Sequence, residues 1–177
     1  MKKVVSLLLI SIVVFAGNLF AQTASATASA AVGILEETPP VSAAAFKDKV
    51  AKLSAQVCEI FDLSGEIFAT CKADADSTAQ EKKLEKATSD FSTAIDDLKG
   101  FAMEKGENPQ VGNFMKSSDG ILDSLEKFFE LAEAIIMALE DGKDSAKNQE
   151  ALKSLRTNLL NQVKTLETIA PQIIALP

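Results

Sequence analysis

Residues Ile121 to Leu139 read ILDSLEKFFELAEAIIMAL, and their spacing decides the fold. Apolar residues recur at Ile121, Leu125, Phe128, Ala132, Ile135 and Leu139 in alternating steps of four and three, the seam of a helix packed on other helices. A second line, Leu122, Phe129 and Ile136, runs one position ahead. Together they form a stripe wider than a two-stranded coiled coil needs, so the segment has to touch at least two neighbours. Glu126, Glu130, Glu133 and Glu140 occupy the opposite, wet side.

Three other segments carry the same rhythm. Ser42, placed after Pro39-Pro40, is a good N-cap for a helix over about 42–73, with a seam at Phe46, Val50, Leu53, Val57, Ile60, Ser64, Ile67 and Cys71 and with Phe61 and Phe68 beside it. Ser77 with Gln80 suggests a capping box for a second helix over 77–105, through Leu84, Ala87, Phe91, Ala94, Leu98 and Phe101. Gly106 and Pro109 read as its stop, leaving Gly106 to Ser118 as the longest and most mobile connection. The quoted stretch then forms a helix over about 117–141. Asp144 or Ser145 caps a last one over 145–175, along Leu152, Leu155, Leu159, Val163, Leu166, Ile169 and Ile173, with Pro171 disturbing its final turn. No segment alternates as a strand does, and no tandem repeat stands out. The expected fold is all-α: an up-down-up-down four-helix bundle over 42–177, about 40 Å long.

What precedes the bundle reads as export machinery. Residues 1–21 resemble a secretory signal peptide: Lys2 and Lys3, an apolar run from Val4 to Phe15 too short to span a bilayer, then small residues, with cleavage after Ala21 favoured over Ala26. Residues 22–41, QTASATASAAVGILEETPPV, have no sustained pattern and are expected to form a flexible Ala/Ser/Thr leader. The first cysteine is Cys58, so no lipoprotein cysteine follows the signal. The expected location is periplasmic or secreted, without a membrane span in the mature protein.

Composition excludes several function classes. The chain of 177 residues has a net charge of −7, which becomes −9 without Lys2 and Lys3. Such a surface repels nucleic acid and anionic lipid, which need clustered cations. There are ten Phe but no Trp, Tyr or His. Haem in small bundles generally takes His, the carboxylate-bridged iron pattern uses Glu-x-x-His, and zinc takes His or clustered Cys. No cofactor or metal is therefore expected. Asp74, Asp76, Thr78 and Glu85 fall at ligand positions of a calcium loop, but Ala79 stands where Gly makes the turn, so a plain acidic turn at a helix start is the better reading. There is no G-x-S-x-G, no His base and one arginine, Arg156, so enzymatic chemistry has little to stand on.

Cys58 and Cys71 pose a conflict between compartment and geometry. An exported domain with two cysteines normally bridges them. Thirteen residues along one helix hold them ~20 Å apart, so they join only if the chain folds back at Ser64-Gly65. The continuous helix is favoured because it matches the others in length. A reactive thiol is not expected, since no His or Arg lies nearby in sequence. Phe128, Phe129, Ile136 and Met137 mark the possible surface for an apolar ligand or a partner, Met137 because it falls on the Glu-rich side. The functional expectation is a non-enzymatic module that binds another envelope or extracellular protein. A carrier of an apolar small molecule or lipid held between the helices is the alternative.

Overall fold

The computed structural model describes residues 41–177; the expected signal peptide and all of the expected leader but Val41 lie outside the described residues. The described residues form four helices, α1 (Ala43–Lys72), α2 (Thr78–Met103), α3 (Pro109–Glu140) and α4 (Ala146–Ile174), and no strand occurs among them. Their packing is compatible with a bundle. Lys49 of α1 meets Asp97 of α2 at 2.7 Å, and Ser54 of α1 donates to Glu167 of α4 at 2.9 Å. Ser124 of α3 donates to Gln162 of α4 at 2.9 Å. Across the middle, α1 faces α3 through Phe46 on Phe114, ring centroids 5.6 Å apart, and Phe61 on Phe128 at 5.0 Å.

One contiguous core fills the space between the helices. Phe46, Phe91, Phe114 and Phe128 are its largest fully buried side chains, and Phe46 also stacks against Phe101 at 4.4 Å. Nearly every seam residue read from the spacing is buried; Phe68, Cys71, Leu139 and Ile169 are only partly covered. Buried hydroxyls remain satisfied within their own helices: Ser64 donates to the Phe61 carbonyl at 2.7 Å and Ser118 to that of Phe114 at 3.0 Å.

The structure corrects three expectations. The connection before α3 is residues 104–108, no longer than the other two, because Pro109 opens the helix instead of keeping α2 closed. Proline suits the first helical position, where its missing N–H is not needed, and the Asn108 side chain accepts from the Gln110 N–H at 2.8 Å. The early start lets Val111 and Phe114 enter the core. The Ser77 capping box does not form. Asp76 caps α2 instead, accepting from Thr78 N–H at 3.0 Å and its hydroxyl at 2.6 Å, which holds the Asp76 carboxyl below its ordinary value. Ser77 turns inward to donate to Glu81. Helix α4 keeps its expected bounds, with Pro171 in its last turn.

The third correction concerns repetition. Shifting α1 and α2 by 68 residues lays them on α3 and α4 element for element. Buried Phe46, Phe61 and Ile67 correspond to Phe114, Phe129 and Ile135, and Leu84, Leu98 and Ala102 to Leu152, Leu166 and Ala170. The five-residue turns correspond as well. Asp74 (φ 53) matches Gly142 (φ 64), the Ala75 N–H bond to Thr70 matches that of Lys143 to Ala138, and Asp76-Ser77 matches Asp144-Ser145. Asp144 caps α4 as Asp76 caps α2, accepting from the Ala146 N–H at 2.9 Å. The resemblance is carried mainly by core and turn positions, which is why a linear scan for identity passes over it.

Glycine substitutions test the two unbroken helices. Gly65 and Gly112 are helical, and a Cβ at either meets nothing within 4 Å. Gly65→Ala and Gly112→Ala should each stabilise the protein by roughly 0.5–1 kcal/mol in urea unfolding followed by circular dichroism. Gly106→Ala, at φ +78, should destabilise it. A turn at Ser64-Gly65 or a loop at Gly112 would remove the gain.

Candidate functional site

Phe128, Phe129 and Ile136 do not lie on a surface. They are 0%, 5% and 3% exposed, and Phe128 meets both Phe61 and Phe129 edge to face. Only Met137 faces outward, at 49% exposure, on the side of α3 that carries Glu130 and Glu140. The broad stripe on α3 is wide because this helix is covered by α1 and α4 as well as α2. Its apolar residues are spent on the interior.

The cysteines occupy one continuous helix and are free, each partly exposed. Their surroundings differ. Cys71 sits at the end of α1; burial first, and then the charges of Glu140 and Glu81, push its thiol up, against a hydrogen bond with Ser77. Cys58 lies beside Arg156 of α4, ninety-eight residues away in the chain. Arg156 also pairs with Asp62 at 3.1 Å and lies over the Phe61 ring, 5.9 Å from its centroid. Contact with Cys58, then the charge of Asp62, holds the guanidinium above its ordinary pKa. Sequence proximity could not reveal this cation beside the thiol, because it arrives on another helix.

The calcium candidate resolves into caps. Asp76 is engaged with Thr78, and Glu85 lies two turns into α2. Among the described residues no group of three or more His, Cys, Asp or Glu side chains is placed to share a metal ion. Also among them, no helix is long and apolar enough to cross a membrane.

The outer surface carries a feature that periodicity did not signal. An open groove of about 630 Å³ runs along the α3–α4 seam. Lys127, Glu130 and Leu131 form its α3 wall, and Ala151, Ser154, Leu155 and Asn158 its α4 wall. One step along the same seam, Gln162 donates to the Gly120 carbonyl at 3.1 Å and accepts from Ser124, which holds the two helices together beside the groove. Leu155 closes the floor, and Leu131 is partly buried against the core.

The first hairpin shows what an ordinary version of this face looks like. In place of Ala151, Ser154 and Asn158 it has Lys83, Lys86 and Asp90. Lys86 pairs with Asp90 and feels the charge of Glu59 across the helix pair. Leu63, the counterpart of Leu131, is buried at 8% exposure. On α4 these charged positions carry short neutral side chains, and on α3 Lys127 stands where α1 has Glu59.

No protein-family model, curated protein or solved structure matches this chain.

Two outcomes follow. Phe128→Ala should cost about 3–5 kcal/mol of stability, the loss of a buried aromatic, whereas Met137→Ala should shift it by less than ~0.5 kcal/mol; a urea series reads both. Under native conditions both thiols should react with iodoacetamide, Cys71 more slowly than Cys58 because its thiolate is disfavoured. Intact mass should not change on reduction.

Proposed function

We propose that this chain is an exported, non-enzymatic helical-bundle protein that binds another protein of the envelope or the extracellular space. In this reading residues 1–21 direct export and are removed, and 22–41 form a leader. The remaining residues fold as an up-down-up-down bundle whose work is done on its outside. One observation carries it: the interior is filled by its own phenylalanines and aliphatic residues, while the α3–α4 seam leaves apolar side chains open to the surroundings. Residue chemistry points the same way. The chain has no His, and its one arginine is engaged with Asp62 and Cys58, so it lacks the imidazole that most often moves protons near neutrality.

A carrier of an apolar small molecule is the second reading, favoured by the size of the same groove, which falls within the range of about 300–1,000 Å³ common for small-molecule sites. Native mass spectrometry of the protein purified from its source, together with cross-linking in its own envelope fraction, separates the two. The interaction module should appear as the bare chain and give a reproducible cross-linked protein partner. A lipid-sized adduct without a partner would replace it with the carrier.

A further inference from the structure

We infer that the two hairpins part along one edge of the bundle, the α2–α3 seam, while the α1–α4 seam stays shut and serves as the hinge. The inference concerns a motion of the bundle itself and goes beyond the interaction-module reading.

The correspondence between the hairpins makes these two seams equivalent. Phe46 touches Phe114, its own counterpart, as elements related by a two-fold axis do, so α1 lies on α4 as α3 lies on α2. The polar bonds agree. Glu167 of α4 reaches α1 through Ser54, and its counterpart Lys99 of α2 reaches α3 through Asp119 at 2.7 Å. Each seam is therefore a control for the other. Steps of seven stay on nearly the same side of a helix, and along its α4 edge α1 reads Ala51, Cys58, Gly65 and Lys72, opposite Gln149, Arg156 and Glu167. Arg156 closes that seam through Asp62 and Cys58 and lies over Phe61.

The matched positions of α3 are all acidic: Asp119, Glu126, Glu133 and Glu140, opposite Glu81, Thr88 and Lys99 of α2. Lys99 pairs with Asp119. Thr88 stands in the place of Arg156 and keeps its hydroxyl on its own helix, donating to the Leu84 carbonyl at 2.9 Å. Glu81 and Glu140 both act on the Cys71 thiol, so carboxylates of α2 and α3 converge over the end of α1. None of Glu81, Glu126, Glu133 and Glu140 forms an ion pair among the described residues, and Glu81 is buried, where screening is weakest. Helix α3 also packs on α2 more sparsely than α4 packs on α1. Like charges thus line the sparser seam, and a cation closes the denser one. The turn between α2 and α3 permits the motion. Its five residues, 104–108, reach about 16–18 Å when extended, against about 8–10 Å between packed helix axes, so the gap widens toward Glu81 and Glu140.

Matched buried positions report the two seams separately. In a background carrying Cys58→Ser and Cys71→Ser, Leu84→Cys places a thiol inside the α2–α3 edge and Leu152→Cys places one at the equivalent point of the α1–α4 edge, the same chemical change at the same register. Native-state labelling with dithionitrobenzoate should be at least about tenfold faster for Leu84→Cys, with a shallower urea dependence than its own global unfolding. Adding Glu81→Gln and Glu140→Lys reverses the charge of the seam; glutamine is already tolerated at the matched site, where Gln149 bonds to Ser145 at 2.8 Å. That pair should slow the labelling of Leu84→Cys at least about threefold. Glu66→Gln with Asp48→Lys makes the same charge change on exposed positions of α1 and should leave it within about twofold. Circular dichroism checks that each variant folds, and if either leucine variant does not, Ile95→Cys and Val163→Cys, also matched and buried, replace them. Equal labelling at the two seams, faster labelling at α1–α4, a urea dependence equal to that of global unfolding, or equal slowing by the two charge pairs overturns the inference.

Discussion

The structure depends on one constraint: four amphipathic faces must close on a single dry interior, and the closure runs diagonally through phenylalanine. Phe46 on Phe114 and Phe61 on Phe128 tie α1 to α3 at two levels, while α2 and α4 cover the flanks. A single helix of this kind is marginal in water, because propensity alone scarcely offsets nucleation and its apolar stripe stays wet. Burial of that stripe by the others supplies the stability. Short connections follow, since each of the three spans only five residues between helices that lie side by side.

Two hairpins of one design meet that constraint in the same way. Both leave their first helix through a left-handed residue, Asp74 or Gly142, and enter the second through an aspartate cap followed by a buried serine. Glycine takes the positive φ without a side-chain clash, and aspartate tolerates it better than most residues do. Inside, the hairpins trade volume at matched positions, as where Ile60 answers Phe128 and Phe91 answers Leu159. Outside they diverge along their whole length, as where Lys83 and Lys86 answer to Ala151 and Ser154 and Glu59 to Lys127.

The candidate surface was less legible than the core. Helical spacing locates buried positions because burial is periodic along one helix. A groove between helices is built from the edges of two of them, and its openness depends on whether short or long side chains line the rim. Ala151, Ser154 and Asn158 are unremarkable when read along α4; they acquire meaning beside Lys83, Lys86 and Asp90. Met137, which did stand out, is a single exposed side chain. Arg156 is a similar case, because its neighbours Cys58 and Asp62 lie on α1.

The residue pattern by itself determined the helical class, the number of helices and most of the core, since a seam in steps of three and four admits no other regular structure. It also determined the absence of histidine chemistry. Only the tertiary structure decided where α3 begins, because proline both ends and begins helices and the choice turned on whether Phe114 found a place in the core. It alone paired the hairpins, set a cation beside Cys58 and opened the α3–α4 groove. Each of these is a relation between residues far apart in the chain, and such relations become specific only after packing has brought the helices together.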